Sequence, residues 1–385
     1  MHGNFHERME TDMILTVDKD SLQRSIMIAD SIISSKNVNT VLSNCLFNIS
    51  RDSVEIVSTD NEIGIRTRLD GVADGEISLT ANGKRFASIL KELPKGEIVV
   101  DVNNSFQVNI KTRAKDIKAR YTLVGTSKDD YPTVPFFAEE NAVEISQSVL
   151  KDMLRKVIHA AAIDTIKPVF NGVYMVSEQK GKVTVVATDS RRLSMVTRNV
   201  ENDVRLPEGV IIPLKTVNEI VRLLAGGMCS FSFFENQCFF KIGETDLISR
   251  IVEGQFPNYR QVIPKEQHIT AVLETKRLID SVRRAMVFTK EPANKIILTF
   301  GKDSLVVEAK TPDLGESSEE IAMESNAGEP LQVGINAQFL MDSLKEIDAY
   351  SVSIGLTGQM SPVTITPDGD PDCLSVVMPI QVKSS

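Results

Sequence analysis

The 385-residue chain has no stretch approaching the roughly 18 uninterrupted apolar residues that cross a bilayer. Residues 1–12 hold no apolar core of the kind a secretory signal needs. Its four cysteines (Cys45, Cys229, Cys238 and Cys373) are scattered without C-x-x-C spacing. They read as small buried residues of a reduced, cytosolic protein. Histidines are as scarce: His2, His6, His159 and His268, with no pair at metal-ligand spacing. The sequence also lacks a G-x-x-x-x-G-K-[ST] phosphate loop, a G-x-G-x-x-G turn and a G-x-S-x-G elbow. Membrane, disulfide-scaffold, collagen-like and disordered classes are excluded. What remains is a globular composition, 42% hydrophobic and 25% charged. At this length, two or three domains are expected.

The chain repeats itself. Tyr131–Pro135 and Phe256–Pro264 end alike, and their final prolines lie 129 residues apart. Met13 to Pro135 is 123 residues and 265–385 is 121, so three units of similar length fit. Each unit opens with an amphipathic helix, expected over Asp18–Ile33, Ser148–Ala162 and Glu274–Lys290. A strand–turn–strand follows: Asn44–Phe47 with Ser58–Asp60, then Asn171–Tyr174 with Ala187–Asp189, and more faintly Lys295–Leu298 with Ala309–Thr311. A second helix is expected over Gly83–Glu92, Leu214–Leu224 and Ala337–Ile347. Alternating strands such as Glu97–Val102, Phe106–Lys111 and Arg120–Val124 close the unit. The fold class is α+β: three repeated domains of two helices packed on antiparallel sheets. The domains are expected at 13–137, 138–266 and 267–385, with 1–12 an extension or the product of a misassigned start codon.

Net charge is −9, which by itself argues against a nucleic-acid partner. Its distribution argues otherwise. The six helical segments hold 16 Lys or Arg against 10 Asp or Glu, so the rest of the chain carries −15. Helices facing one side would make that side basic and the remainder acidic. Such a surface attracts phosphates without reading bases.

Groups with catalytic chemistry are few. Ala187–Leu193 sets Asp189 beside Arg191 and Arg192, which would suit a phosphoesterase, yet a lone carboxylate makes a poor metal site and Thr-Asp-Ser is turn chemistry. No catalytic residue, metal or cofactor is expected. A protein-binding repeat scaffold that never encircles DNA is the other alternative. The acidic run Glu316–Glu320 reads as a solvated loop or an interface. Ser375–Val382 reads as an apolar strand and one wall of a pocket, with Met378 suited to adaptable contacts.

Taken together, Asn171–Tyr174, Ala187–Leu193, Phe256–Pro264 and the ending Val376–Ile380 resemble the bacterial sliding-clamp family, the beta subunits of DNA polymerase III. The likeness runs from Met13 to Val382. It implies a homodimer closed head to tail into a ring around duplex DNA, a processivity factor with no catalysis of its own. It further implies a cytoplasmic protein, nucleoid-associated during replication. Its implied partners are the polymerase III alpha subunit, the clamp loader, and other polymerases and repair proteins, which dock short hydrophobic motifs.

Carried over by position, the resemblance gives a cleft of Phe170, Thr188, Ser190, Arg191, Arg192, Leu193, Pro257 and Val262. Asn336, Phe339, Val363, Val376, Met378, Pro379 and Ile380 form its other side. DNA-facing positions are Arg24, Lys36, Arg155, Lys167, Lys215, Arg222, Arg283 and Arg284. Dimer-interface positions are Lys84, Arg85, Tyr121, Leu123, Val287, Phe288, Glu316, Glu319 and Glu320. The chain departs from the family pattern at Ser190 and Arg191, where Gly and His are usual. Gln261 and Gln381 replace Arg, and Pro168–Val169 replaces an aromatic pair.

Overall fold

A computed structural model describes residues 13–33, 41–113, 119–139, 142–163, 166–200, 209–327 and 329–382. Residues 1–12 and Lys36 lie outside the described residues. Six α-helices occur among the described residues: α1 (Lys19–Asp30), α2 (Gly83–Glu92), α3 (Gln147–Ile158), α4 (Leu214–Leu223), α5 (Thr275–Met286) and α6 (Ala337–Lys345). All six coincide with expected helices, but most of them are shorter. Asp18 and Glu274 are extended caps instead of helical residues, and the Asp18 carboxylate accepts the Ser21 N–H at 2.8 Å. On α5, Leu278, Val282 and Ala285 are buried while Arg277, Arg283 and Arg284 face solvent.

The chain forms two compact units, one of residues up to Val143 with Leu223–Arg250, the other of Glu144–Arg222 with everything from Ile251 onward. In the first, a five-stranded antiparallel sheet runs in the order Val72–Ala73, Met13–Asp18, Glu97–Val102, Gln107–Thr112, Arg120–Val124. Phe106 has a φ of 58°, which keeps it out of its strand. α1 and α2 pack over a core holding Leu22, Ile26, Phe47, Phe86 and Val100. In a second sheet, the strand Ile63–Asp70 pairs with Thr245–Arg250, setting Ile63 against Ser249.

The second unit repeats that arrangement. In its nine-stranded sheet Arg192–Asn199 pairs with Cys373–Val377, setting Leu193 against Val376. A four-stranded sheet, ordered Gly315–Ala322, Ser304–Thr311, Lys295–Phe300, Leu331–Asn336, carries α5 and α6 over a core that includes Leu278, Phe300 and Leu340. The final strand stops at Val377, five residues short of the expected end. Pro379 has no N–H for a ladder, and Ile380 makes only an isolated bridge to Gly334. The acidic run is an edge strand, Gly315–Ala322, and not a loop. All four cysteines are buried and unpaired.

Candidate functional site

The turn between the strands Lys182–Thr188 and Arg192–Asn199 is fixed by its own side chains. Thr188 Oγ1 donates to the Arg192 carbonyl at 2.6 Å and accepts the Ser190 N–H at 3.2 Å. Asp189 Oδ1 accepts the N–H groups of Arg191 (2.9 Å) and Arg192 (3.0 Å), an Asx turn. Ser190 sits at φ 73°, in the left-handed region. The Asp189 carboxylate is thus committed to its turn and to Arg192 Nε at 3.0 Å. Among the described residues no group of three or more His, Cys, Asp or Glu could hold a metal ion.

Beside this turn lies a cavity of about 180 Å³. Leu193 and Val376, both buried, form its floor; Pro257 and Val262 come from the linking stretch, and exposed Met378 stands at its mouth. Phe170, Thr188, Ser190 and Arg192 complete the predicted part of the lining. Asn258 and buried Tyr259 also line it and were not anticipated. Tyr259 lies within the repeated stretch Phe256–Pro264, so the repeat was the available signal. Phe256 stacks on Tyr174 with centroids 4.7 Å apart and holds the linker against the sheet.

Six predicted cleft residues do not line the cavity. Arg191 is exposed, and its carbonyl accepts the Met378 N–H at 2.9 Å. Asn336 caps α6, accepting from Gln338 N at 2.9 Å and Phe339 N at 3.3 Å. Phe339 lies under the Arg192 guanidinium, 4.4 Å from its ring centroid. Val363 belongs to the buried core beneath α5 and α6. Pro379 and Ile380 follow the final strand and are half-buried.

A polar knot backs the cavity. Arg192 Nη1 reaches Asp342 of α6 at 2.6 Å, a contact across 150 positions that no local motif signals. Half-buried His159 places Nε2 at 3.0 Å from Ser194 Oγ and 3.4 Å from Ser343 Oγ, and Ser194 also meets Ser375 at 2.9 Å. Burial, with the Arg192 charge second, pushes His159 down to about 4, so it is neutral near pH 7.

The helix cations are less free than their count implied. Lys19 is buried against Asp20. Arg155 pairs with Glu346 (3.2 Å), Arg222 with Glu219 (2.8 Å), Arg283 with Asp280 (2.8 Å) and Arg284 with Glu319 (2.5 and 2.9 Å). Hydrogen bonding from Arg284 holds the Glu319 carboxyl below its ordinary range. Arg24, Lys167 and Lys215 are exposed; Lys167 lies 5.8 Å from the Phe170 ring centroid. Of the interface positions, Lys84, Arg85, Tyr121 and Val287 are exposed, while Leu123 and Phe288 pack partly against their own cores. Glu316 is bound by Lys310 (2.6 Å) and Glu320 by Ser304 (2.5 Å).

The chain thus combines a thrice-repeated α+β fold with an apolar cavity beside a side-chain-fixed turn. Comparison with known proteins supplies the family. Residues 13–135, 144–258 and 260–381 match the models of the N-terminal, central and C-terminal domains of the DNA polymerase III beta subunit. A beta sliding clamp of Halalkalibacterium halodurans is 30% identical over 96% of this chain and 100% of its own, and one from Staphylococcus aureus is 27% identical over 96% and 99%. The sliding clamp of Bacillus subtilis superposes with a TM-score of 0.91 at 23% identity, covering 96% of this chain and all of that one. A Pseudomonas aeruginosa clamp bound to griselimycin gives 0.90 at 24% identity over the same shares. The chain belongs to the DNA polymerase III beta subunit family, the beta sliding clamps. It is a DNA sliding clamp of replication, a processivity factor and not an enzyme. None of its described helices is long and apolar enough to cross a membrane.

Proposed function

We propose that two protomers close head to tail into a ring that encircles duplex DNA in the cytoplasm, each built of domains 13–137, 138–266 and 267–385. The observation that supports the ring is a pair of sheet edges. Arg120–Val124 and Gly315–Ala322 each have a strand neighbour on one side only among the described residues. Unpaired edges invite a partner strand. The first edge bears Arg120, with Lys84 and Arg85 on the α2 of the same unit; the second bears Glu316, Glu319 and Glu320. Opposite charge favours joining one edge to the other of a second copy, with Tyr121 and Leu123 meeting Val287 and Phe288.

DNA would be held by topology, with Arg24, Lys36, Arg155, Lys167, Lys215, Arg222, Arg283 and Arg284 touching phosphates in passing. Exposed ion pairs such as Arg283–Asp280 are weak in water, so their guanidinium groups remain exchangeable to phosphate. The polymerase, the clamp loader and repair proteins would in turn seat short apolar motifs on Leu193, Val376 and Met378. One or two buried anchors at about 1.5–3 kcal/mol each give an affinity modest enough for exchange.

Retention on nicked circular DNA at high salt, after loading by a clamp loader, tests the ring. Retention on the circle with loss after linearisation is expected, because phosphate attraction is screened alike on both forms. Equal loss from both, once loader competence is verified, would favour the scaffold reading. Equal retention would mean direct tight binding and no ring.

A further inference from the structure

The frame around the second unit's cavity occurs again, within the first unit. Thr59 Oγ1 donates to the Ile63 carbonyl at 2.9 Å and accepts the Asn61 N–H at 3.0 Å, as Thr188 does with Arg192 and Ser190. Asp60 Oδ1 accepts the N–H groups of Glu62 (2.9 Å) and Ile63 (2.7 Å), as Asp189 does two and three residues on. Asn61 has a φ of 74°, Ser190 one of 73°. Each turn is closed by the last strand of the following repeat: Arg250 N donates to the Glu62 carbonyl at 3.1 Å, and Met378 N to the Arg191 carbonyl at 2.9 Å. Each is flanked by a proline-led linker, Pro132–Val134 in one and Pro257–Tyr259 in the other. The first-unit frame encloses a groove of about 320 Å³.

Two positions distinguish the copies. Register places Gly64 where the other frame has Leu193. A Cβ on Gly64 would lie 2.5 Å from Val134 Cγ1, so the linker's own Val134 supplies the floor, buried with Val57, Phe239 and Ile248. Arg250 stands where the other frame has Met378. It is exposed and forms no ion pair with any described residue. The groove therefore joins a small apolar floor, within a largely polar rim, to a guanidinium that no described carboxylate pairs with. The exposed carboxylate of Glu62, whose carbonyl accepts the Arg250 N–H, lines the same groove and disfavours a continuous chain of phosphates.

We infer that this groove is a second docking site, for an extended peptide segment of a partner protein carrying an Asp or Glu next to an apolar side chain. The carboxylate meets Arg250 and the apolar neighbour lies on Val134 and Ile248. The inference rests on reading the second unit's cavity as a peptide cleft, whose backbone frame it shares.

The test uses the full chain with Met378→Asp, which removes the other cleft, and a fluorescein-labelled octapeptide holding one Asp-Leu pair in a Ser/Gly background. Fluorescence anisotropy should show binding that weakens between about 50 and about 300 mM salt. Adding Arg250→Glu or Arg250→Gln should weaken it about tenfold or more, Arg250→Lys should largely restore it, and an Asn-Leu peptide should bind no better than the Arg250→Gln variant does. No binding up to about 1 mM, affinity indifferent to Arg250, or displacement of the peptide by a short DNA duplex would each overturn the inference. A neutral Leu-Leu octapeptide titrated on the unmodified chain reports the other cleft separately. If only that arm fails, the earlier reading falls while the Arg250 result stands.

Discussion

At Leu193 the strand furnishes the floor of its groove; at Gly64 the strand furnishes none, and Val134 from the linker fills the space. The turns beside them have the same hydrogen bonds and nearly the same φ, so backbone geometry is not what separates the two sites. Side chains at a pair of register positions are. One groove is apolar to its mouth at Met378, the other ends in the cation of Arg250. Duplication thus copies a frame, and a few side chains then decide what can rest on it.

Truncating the floor is expected to have the largest effect. Leu193→Ala should lower the unfolding free energy by about 2–4 kcal/mol, the usual cost of a cavity at a buried leucine, and should weaken the neutral peptide. Gly64→Ala acts by overpacking instead: its new Cβ meets Val134, and a loss of about 1–3 kcal/mol is expected with the neutral peptide unaffected. Urea unfolding followed by circular dichroism suits a chain without tryptophan. Equal effects of both variants on the peptide would erase the proposed difference between the grooves.

The next effect depends on pH. Behind the second unit's floor Ser194 reaches His159, whereas the register-equivalent position in the first unit is buried Ile65. Burial holds His159 at about 4 against an ordinary 6.5, so between those values the unfolded chain binds the proton more readily. Stability should fall as pH drops from about 6.5 to about 4, by up to roughly 3 kcal/mol from this residue. His159→Gln should flatten that slope. A slope unchanged in the variant would place the acid sensitivity elsewhere.

Arg192 should matter less. It joins Asp189, Asp342 and the Phe339 ring, where the first unit has Ile63. Arg192→Ala should cost about 1–2 kcal/mol through the half-buried Asp342 left short of a cation, although Gln338 still donates to that carboxylate at 2.6 Å. The corresponding Ile63→Ala should act as a plain apolar deletion, insensitive to salt. Measuring both at two ionic strengths separates the two mechanisms.

Much of this was legible in the sequence because it is local. Helical spacing such as Leu278–Val282–Ala285, the Thr-Asp turns and the proline-led linkers each follow from neighbours in the chain. Nine of the fifteen residues assigned to the cleft meet around one cavity, since strand register carries Leu193 to Val376 once the repeat is recognised. The remainder depends on distant contacts. Nothing near Arg192 announces Asp342, nothing near Arg284 announces Glu319, and the expected strand beyond Val377 ignored what Pro379 does to a ladder. Tyr131–Pro135 was visible as a repeat of Phe256–Pro264, but only the burial of Val134 on Gly64 turns that likeness into a groove.

The smallest expected effect contrasts two arginines. Arg250 has no ion pair among the described residues, whereas Arg284 is held by Glu319 on the edge strand. Because the Arg284–Glu319 pair faces water, Arg284→Ala should leave the urea midpoint unchanged. On DNA, Arg284 must leave Glu319 to meet a phosphate, so the attraction of the phosphate is partly offset by breaking the ion pair. Direct binding of a short duplex should accordingly show a log affinity versus log salt slope reduced by less than the roughly 0.9 expected for one fully used phosphate contact. Glu319→Gln should move the slope the other way, by freeing the guanidinium. If both substitutions leave the slope where it was, Arg284 does not touch DNA and belongs with Glu319 to the joining of sheet edges alone.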